Sequence, residues 1–360
     1  MNPDVAAVPE PPVAEAKSWV AGRTFPASKP LIDLSQAVPG YPPADELRAY
    51  LAELTQRPDM AAYAPALGLP HVRAATAEHL GVATDHTMIT AGCNQAFCLA
   101  IGVLARQGDN VILPLPYYFN HDMWLRASGI EPRYETRVDD RTRAIVLVTP
   151  NNPTGAIAEP GEIRGLFELA QHHGIALLLD ETYKDFRPTT APAHDLFARR
   201  DWTDTLVHLF SFSKVFSLAG YRAGSLTAHP DLLRQAAKLA DCQTIGAPRI
   251  AQEAAAFGLA HLGQWVEERR VEMNARVDGF QTAITRTPYQ LVSAGAYFAY
   301  VRHPFDDEPA RAVAQELAGE QHLLCIPGEA FGPGQERFLR IAFGNASLDE
   351  IAEVGTRLNA

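Results

Sequence analysis

From residue 87 onward, short apolar runs alternate along the chain with longer segments of helical pattern. The runs have the length of buried strands and cover residues 87–90, 111–113, 144–149, 175–180 and 206–210. The segments between them predict helices at residues 94–106, 122–128 and 160–173. Buried parallel strands have this continuous apolar composition, and a strand–helix–strand alternation brings them into one sheet with helices on both faces. The chain therefore predicts an α/β domain built on a mostly parallel sheet.

A chain of 360 residues is longer than one hydrophobic core usually supports, which favours two domains. After about residue 245 the pattern changes to a long helical stretch, residues 249–286, followed by apolar runs at 296–301, 323–326 and 338–342. We predict a large α/β domain over residues 45–245 and a smaller α+β domain over 246–360. Residues 1–44 are predicted to be an arm that joins the small domain. This arm should be irregular over residues 1–30, which contain six of the 27 prolines.

The net charge of −11 argues against nucleic-acid binding, because displacing counterions from phosphates requires a basic surface. The four cysteines, Cys93, Cys98, Cys242 and Cys325, have neither the spacing of a zinc site nor that of a disulfide framework. Residues 1–12 lack the basic start and apolar run of a signal peptide, and no stretch has the length of a membrane span. We therefore expect a cytoplasmic protein with reduced thiols, no metal site, and no membrane or nucleic-acid partner.

Two polar side chains follow predicted strands at their carboxyl ends, where ligands bind in open α/β sheets. Asp180 ends the run 175–180, and Lys214 comes four residues after the run 206–210. A desolvated lysine can lose its proton and attack an aldehyde as the free amine. Taken alone, Asp180 is explained more simply as a helix cap or turn residue, and Lys214 as a surface lysine.

Three further segments have the composition of an anion or amide site. Arg222 lies among small residues, where a guanidinium can approach a dianionic phosphate. The turn at residues 151–155 follows a strand and places the amide of Asn152 at the rim of the sheet. Gly92 joins a strand to a helix, whose free backbone N–H groups and dipole attract anions. Each segment alone is a weak signal with an ordinary structural explanation.

The order of these segments is specific although the single residues are not. In this order they resemble the fold-type-I aminotransferases of the class I/II family, which use pyridoxal 5′-phosphate (PLP). The most diagnostic stretches are Asn152-Pro153-Thr154-Gly155, Asp180-Glu181-Thr182-Tyr183, and Ser213-Lys214 followed by Arg222. The resemblance runs from about Leu34 to Phe343. It implies the fold-type-I architecture, PLP as cofactor, an amino acid and a 2-oxo acid as substrates, and a homodimer with shared active sites.

The resemblance implies a role for each residue around the cofactor ring. Lys214 matches the lysine that holds PLP as a Schiff base and later carries the proton between the substrate's Cα and the cofactor. Asp180 matches the carboxylate that keeps the pyridine nitrogen protonated, consistent with the effect of an adjacent anion on the pKa of a cation. Asn152 and Tyr183 match the groups that hydrogen-bond the phenolic oxygen of PLP.

Two aromatic positions are implied as well. Tyr118 matches the residue whose ring stacks on the pyridine ring of PLP, and its neighbour Tyr117 is the alternative. Tyr63, in the stretch 63–68, resembles the tyrosine that reaches the phosphate of the neighbouring subunit. If Tyr63 has this role, a dimer is needed to complete the site.

The phosphate of PLP would be held at the start of the helix after Gly92 and by residues that follow the run 206–210. The implied ligands are Gly92, Cys93, Asn94, Ser211, Ser213 and Arg222. Cys93 departs from the family pattern, in which a small or hydroxyl residue is more common at this position.

Arg340 matches the arginine that binds the α-carboxylate of the substrate in a bidentate pair, with Arg337 as the alternative. Ala37 lies in the stretch 34–40, which resembles the substrate-side loop whose backbone N–H joins Arg340 at the carboxylate. Glycine is frequent at the position of Ala37, so the pocket should be narrower here. Asn152 would contact the substrate as well as the cofactor.

Transamination is the reaction expected of this set, with Lys214 moving the proton that leaves the substrate's Cα. The same residues suit β-elimination, cyclisation or O2-dependent oxidation, so a PLP-dependent lyase, cyclase or oxidase is the alternative. Thr182 and Tyr183 disfavour an α-oxoamine synthase, which has a histidine-containing segment there. A regulator that senses PLP or an amine is disfavoured because only a short arm precedes the fold, and an inactive binding protein because the cofactor-contacting set is intact.

The side chain of the substrate is left open by the sequence. Dicarboxylate-specific relatives place a further arginine just before the segment that aligns with residues 244–248. The stretch 238–243 contains no arginine, and Lys238 is a weak substitute. Asp241 could instead pair with a basic substrate side chain, or it could be an ordinary solvated or capping aspartate.

Overall fold

The computed structural model describes residues 1–359, which form two main sheets surrounded by helices. The strands are β1 (Ile32–Asp33), β2 (Thr87–Thr90), β3 (Asn110–Ile112), β4 (Glu131–Arg133), β5 (Thr142–Val148), β6 (Ala176–Asp180), β7 (Leu206–Ser211), β8 (Gly224–Thr227), β9 (Gln290–Gly295), β10 (Phe298–Arg302), β11 (Leu323–Leu324), β12 (Ile326–Pro327) and β13 (Phe338–Ala342). The α-helices are α1 (Pro3–Ala6), α2 (Pro12–Ser18), α3 (Asp45–Leu54), α4 (Pro70–Leu80), α5 (Cys93–Leu104), α6 (Phe119–Ala127), α7 (Pro160–His172), α8 (Phe212–Val215), α9 (Pro230–Thr244), α10 (Arg249–His261), α11 (Gly263–Ile284), α12 (Ala310–Glu316) and α13 (Leu348–Arg357).

The larger sheet has seven strands within the described residues, in the order β2-β8-β7-β6-β5-β3-β4. The strands β4, β3, β5, β6 and β7 pair in parallel, and β8 is antiparallel to both of its neighbours. The predicted α/β class and mostly parallel sheet are confirmed. The sequence did not predict β4 or β8, because β4 is a short polar edge strand and β8 consists largely of glycine and hydroxyl residues.

The central strands are apolar throughout because helices cover both faces of the sheet. In β6, Leu178 packs into the core on the side of α5, whereas Leu177 and Leu179 pack on the side of α7. This alternation has period two, as expected for a strand. It places the side chain of Asp180, two residues after Leu178, on the face of α5.

The smaller sheet is antiparallel and has the order β12-β13-β10-β9 within the described part of the chain. Phe280 of α11 and Val354 of α13 share its core with Phe298 and Ile341. The N-terminal segment joins this part of the molecule through β1, which pairs in parallel with β11. Tyr300 of β10 pairs with Arg340 of β13, and the side chain of Arg340 reaches Asn152, which follows β5 of the larger sheet.

The helical stretch predicted over residues 249–286 is two helices, α10 and α11, which meet at Leu262. The division follows from packing, because α10 contributes Ala251 and Ala255 to a core that contains Phe210 of β7, whereas α11 contributes Met273 to the core of the smaller sheet. A single straight helix cannot serve both cores. The domain bounds 1–44, 45–245 and 246–360 stay a prediction.

The irregular arm predicted for residues 1–30 is wrong in part, since α1 and α2 lie within it. Proline occupies the first position of both helices, where its missing N–H costs no hydrogen bond. Ala16 of α2 is fully buried in a core with Phe331, and Glu15 forms an ion pair with Arg311. Proline content therefore indicated helix starts rather than irregular chain.

None of the helices among residues 1–359 is long and apolar enough to cross a membrane. In the same residues, no group of three or more His, Cys, Asp or Glu side chains is arranged to hold a metal ion.

Candidate active site

A cavity of about 190 Å³ lies at the carboxyl ends of three parallel strands. Val148, Asp180 and Ser211, the last residues of β5, β6 and β7, line it. Gln36 and Val38 from the loop after β1 line it as well. The predicted site residues that line this cavity are Cys93, Asn94, Tyr118, Asn152, Asp180, Tyr183, Ser211, Ser213, Lys214 and Arg222. Segments far apart in sequence thus meet where ligands bind in open α/β sheets.

Lys214 lies in α8, a single helical turn directly after β7. Its Nζ donates a hydrogen bond to the backbone carbonyl of Ala37 at 2.6 Å. Burial, and then the positive charges of Arg222 and Arg340, lower the pKa of Lys214 to about 8. Roughly a tenth of this side chain is therefore the free amine at pH 7, far more than for a lysine with an unshifted pKa, and the free amine is the nucleophilic form.

Asp180 is buried and faces a histidine that the sequence analysis missed. One carboxylate oxygen accepts the backbone N–H of Thr182 at 3.0 Å, and Oδ2 lies 3.5 Å from Nε2 of His121. His121 lies in α6, is 1% exposed and stacks on the ring of Phe97 at 3.9 Å. Burial lowers the pKa of His121 to about 4, and the charge of Asp180 offsets this only in part, so the ring is neutral at pH 7. Its place one helical turn after Tyr118 was the available sequence signal.

Glu181, the residue after Asp180, faces the other side of the sheet. Its Oε2 lies 3.1 Å from Nε2 of His208 and 3.4 Å from Nε2 of His194. Because Nδ1 of His194 accepts the backbone N–H of Leu196, Nε2 of His194 carries the proton and donates to Glu181. Burial raises the pKa of Glu181, but the hydrogen bonds and charges of the two histidines outweigh it and hold this pKa below its usual value.

Gly92 and Arg222 form a close pair at the start of α5. Gly92 has φ +88°, and a Cβ atom at this position would collide with the guanidinium of Arg222. Arg222 itself has φ +62°, and its Nη1 donates to the carbonyl of Ala219 at 2.9 Å. Only glycine combines this backbone conformation with the space that the guanidinium takes. The pair places a cation beside the free N–H groups of a helix N-terminus, a favourable place for an anion.

The other predicted phosphate ligands lie around this pair. The hydroxyl of Ser211 accepts the backbone N–H of Ser213 at 3.2 Å, whereas the buried hydroxyl of Ser213 has no partner among the described residues. Cys93 is buried, and burial and the charge of Asp180 raise its pKa well above the usual value. Its thiol is therefore protonated at neutral pH and is a weak nucleophile. Asn94 lies at the exposed mouth of the cavity.

Tyr118 and Tyr117 point to different places. Tyr118 lines the cavity, and its hydroxyl accepts a hydrogen bond from Nδ2 of Asn120 at 3.0 Å. Tyr117 stacks on Tyr134 with ring centroids 5.6 Å apart and does not line the cavity. Tyr118 is therefore the residue placed to contact a ring bound there.

Arg340 lies at the opposite end of the site, on β13, and is 1% exposed. Its Nη1 donates to Oδ1 of Asn152 at 3.1 Å and its Nη2 donates to the carbonyl of Ser35, while its Nε has no partner in the part of the chain described. Burial lowers the pKa of Arg340 to about 10, so the side chain stays charged at pH 7. Neither Arg340 nor Arg337 lines the cavity itself, but Arg340 contacts the lining residue Asn152, whereas Arg337 forms an ion pair with Asp306 at 2.8 Å.

The remaining predicted residues divide between the site and the surface. Tyr183 is buried in the site, with Lys214 Nζ 6.0 Å from the centre of its ring, and burial raises its pKa well above the usual value. Ala37 presents its carbonyl to Lys214, as described above. Tyr63 is 77% exposed and Asp241 is exposed on α9, and neither lines the cavity within this chain.

The family model for aminotransferases of class I and II matches residues 29–358 of the chain. The chain therefore belongs to the class I and II aminotransferase family. The members of this family depend on PLP, and the chain is an aminotransferase, as its sequence predicted.

Individual relatives agree with this assignment. The aromatic aminotransferase ISS1 of Arabidopsis thaliana is 27% identical over an alignment of 377 positions, and the alignment covers 97% of this chain and 92% of that protein. An aspartate aminotransferase of Pyrococcus abyssi is 23% identical over 344 residues, with 88% of each chain covered. The structure of the Thermus thermophilus aspartate aminotransferase with maleate is similar at a TM-score of 0.90, with 22% identity, 100% of this chain and 98% of that chain covered. The fold type is thereby confirmed.

Proposed function

We propose that this aminotransferase holds PLP at the carboxyl ends of β5, β6 and β7 and moves an amino group between an amino acid and a 2-oxo acid. The observation that carries the proposal is Lys214, a buried amine whose pKa of about 8 leaves it partly unprotonated at neutral pH. Its cavity is also lined by a carboxylate, Asp180, and an arginine, Arg222. An aldehyde that carries a basic ring and a phosphate matches this set of groups.

The phosphate end of the cavity suits a dianion. The hydroxyl of Ser213 is buried without a partner, which is costly unless a ligand supplies one. Gly92 leaves the space in which Arg222 and the start of α5 converge. We assign the phosphate of PLP to the N–H groups of Gly92, Cys93 and Asn94 and to the side chains of Asn94, Ser211, Ser213 and Arg222.

The ring end of the cavity suits a protonated pyridine. The carboxylate of Asp180 is buried, and its partners are the Thr182 N–H, the neutral ring of His121 and the protonated thiol of Cys93, none of which is a cation. A positive ring nitrogen would therefore give this carboxylate the charged partner that it lacks. We assign Tyr118 to the face of the ring, and Asn152 and Tyr183 to its phenolic oxygen.

When bound, PLP supplies the electron sink that stabilises the negative charge left at the substrate's Cα. Nζ of Lys214 is the base that removes the Cα proton and holds it until it is returned. Arg222 and Arg340 favour the neutral amine of Lys214 through their charges, which keeps this base available at pH 7. Asp180 holds a proton at the ring nitrogen, and the buried walls exclude water that would compete for it.

Arg340 is proposed to bind the substrate's α-carboxylate. Two of its three nitrogens are occupied by Asn152 and by the carbonyl of Ser35, which are neutral acceptors. A carboxylate makes stronger, charge-assisted hydrogen bonds than an amide or carbonyl oxygen, so the substrate can replace them. The loop that contains Ser35 and Ala37 would then move as the substrate binds.

The identity of the substrate's side chain is less constrained. The relatives compared above include an enzyme named for aromatic amino acids and one named for aspartate. Asp241 is exposed on α9 and outside the cavity of this chain, so nothing in a single chain favours a basic side chain. A neutral or aromatic amino donor is the substrate class that we propose to test first.

We also propose a homodimer in which Tyr63 reaches the phosphate site of the partner subunit. In support, Tyr63 exposes 77% of a large side chain, so it is free to reach a second chain. Mixing Lys214→Ala with Tyr63→Ala chains tests this, because a mixed dimer would contain one site with both residues intact. Recovered activity supports the exchange of Tyr63 between subunits. No recovery, although native mass spectrometry shows mixed dimers, contradicts it.

The proposed cytoplasmic location rests on the four cysteines, all of which are free thiols.

The central test is borohydride reduction of the PLP-saturated protein, followed by mass spectrometry of its peptides. The peptide that contains Lys214 should gain the mass of reduced PLP, and Lys214→Ala should gain none. Lys184→Ala is the matched control, because Lys184 is also partly buried but pairs with Asp185 outside the site. Labelling of another lysine in the unaltered protein would overturn the assignment. A panel of amino donors, read out as release of the 2-oxo acid, then identifies the substrate class.

A further inference from the structure

A second cavity of about 440 Å³ lies next to the active site, under the N-terminal segment. Residues Val5, Val8 and Pro11 of this segment form one wall, and α5 and α6 form the others. The cavity is separate from the one that contains Lys214, but Asn94 lines both. His121, whose Nε2 faces Asp180, lines the second cavity only.

Two polar groups in the α6 wall of this cavity lack partners. Nδ1 of His121 and Nε1 of Trp124 are buried and have no hydrogen-bond partner among residues 1–359. The two residues are three positions apart on α6 and therefore lie on the same face of the helix. Buried polar groups without partners are rare in native proteins, so each calls for a ligand or a solvent molecule.

The protonation of His121 defines what these groups can bind. Its ring is neutral at pH 7, and the single N–H is stabilised on Nε2, which faces the carboxylate of Asp180. Nδ1 therefore carries a lone pair and accepts a hydrogen bond, whereas the indole Nε1 of Trp124 donates one. A hydroxyl is the smallest group that both donates and accepts, so one hydroxyl matches this pair.

The rest of the lining defines the body of the ligand. Phe97, Trp124 and Met123 give apolar and aromatic walls, and Glu10 is the charged residue at the rim. The described residues that line the cavity include no lysine or arginine, so the carboxylate of an amino acid or a 2-oxo acid finds no partner there. A neutral molecule is favoured over an anion.

We infer that the cavity under the N-terminal segment is a binding site for a small neutral molecule with an aromatic body and one hydroxyl group. The hydroxyl binds between Nδ1 of His121 and Nε1 of Trp124. Neither atom is accessible to solvent, so a ligand must displace a neighbouring side chain to reach them, and Met123, which lines the same cavity, has the flexibility to move. A ligand held in this way touches the residue behind Asp180 without entering the substrate site.

The test is isothermal titration calorimetry of the PLP-saturated full chain with p-cresol, beside toluene as the matched probe without a hydroxyl. We expect a dissociation constant of about 1 mM or lower for p-cresol, within the range for a ligand of this size. Toluene should bind at least roughly 5-fold more weakly, because it lacks both hydrogen bonds of the hydroxyl. Trp124→Phe removes the indole N–H together with part of the aromatic wall, so the ratio of the two affinities is the readout. The preference for p-cresol over toluene should shrink, and the bond to Nδ1 of His121 should keep part of it. Equal affinities for the two probes in the unaltered chain would overturn the inference.

A second variant tests the location. Ala127→Phe fills the cavity from the end of α6 and should abolish binding of both probes, whereas Ala52→Phe, on the exposed face of α3, should change neither. If p-cresol still binds to Ala127→Phe and is displaced by a 2-oxo acid, it occupies the substrate site and the inference is wrong. The coupling to Asp180 rests on the proposed function, but binding does not. The same titration without added PLP therefore separates a failure of the cavity from a failure of the cofactor assignment.

Discussion

The two ends of the active site are built in different ways. The cofactor end consists of residues that end strands or begin helices of one sheet, such as Asp180, Ser211 and Gly92. The carboxylate end depends on Arg340 from the smaller sheet, held by Asn152 from the larger sheet and by the carbonyl of Ser35 from the N-terminal segment. The first end is fixed by one sheet, and the second exists only where three separate segments meet.

This difference indicates which end is rigid. Strand ends within one sheet cannot move relative to each other without breaking backbone hydrogen bonds, so the cofactor end is preorganised. The two partners of Arg340, Asn152 and the carbonyl of Ser35, belong to separate segments that can move relative to each other. Both partners are neutral acceptors. We therefore expect changes at the cofactor end to lower the rate of chemistry, and changes at the carboxylate end to weaken substrate binding.

The largest effect is expected for Asp180→Asn. The variant removes the buried charge that would hold a proton on the ring nitrogen, and loss of one partner of a buried charge pair costs about 3–5 kcal/mol. We expect kcat to fall by roughly 100-fold to 1000-fold with little change in KM for the amino donor. Steady-state kinetics at saturating PLP measures this, and circular dichroism checks the fold. A rise in KM with unchanged kcat would contradict the assignment of Asp180 to the cofactor end of the site.

Arg340→Lys should show the opposite pattern. Lysine keeps the charge but loses the planar pair of donors, and charge-assisted hydrogen bonds of this kind contribute about 1.5–3 kcal/mol. We expect KM for the amino donor to rise by roughly 10-fold to 100-fold, with a smaller loss of kcat. Arg337→Lys is the matched control. Arg337 directly precedes the same strand, β13, but pairs with Asp306 outside the cavity. Equal effects of the two variants would contradict the assignment of Arg340.

Gly92→Ala tests the rigidity of the cofactor end. The methyl group collides with the guanidinium of Arg222 at a positive φ, which costs about 1 kcal/mol or more. We expect the affinity for PLP to fall by roughly 5-fold or more, measured by titration of the apoprotein. Gly161→Ala is the control, since a Cβ at Gly161 meets no atom within 4 Å. An unchanged PLP affinity would mean that the guanidinium can move aside freely.

The smallest effect is a shift of pH dependence. The folded pKa of Lys214, about 8, is lower than that of a free lysine, so its reactive neutral form increases as pH rises from 7 to 9. Arg222 contributes to this lowering through its charge, and Arg222→Gln should move the midpoint to higher pH. The readout is the rate at which the apoprotein captures pyridoxal, which has no phosphate for Arg222 to bind. Arg234→Gln, an exposed arginine on α9, should leave the midpoint in place.

The cofactor end was the part that the sequence could predict. Asp180 and Lys214 were singled out by their positions after predicted strands. The order of the segments along the chain then gave the family resemblance, and the resemblance gave each residue its role. His121 was missed because its place beside Asp180 comes from the packing of α6 against α5, and no local pattern encodes that contact. The Ser35 carbonyl was missed for a related reason, since a backbone acceptor leaves no trace in residue type. Helices α1 and α2 were missed because prolines at helix starts were interpreted as breaks.

Asp180 and Glu181 stand side by side on the chain but serve opposite faces of the sheet, and both are buried in specific partnerships. A single-residue deletion in β6 would exchange them, so that Glu181 would enter the active site and Asp180 would face His194 and His208. Neither carboxylate would then meet partners at the right distance. The activity therefore depends on one register of β6 with its neighbouring strands. Insertion or deletion of one residue, which a loop would tolerate, should abolish activity when made in this strand.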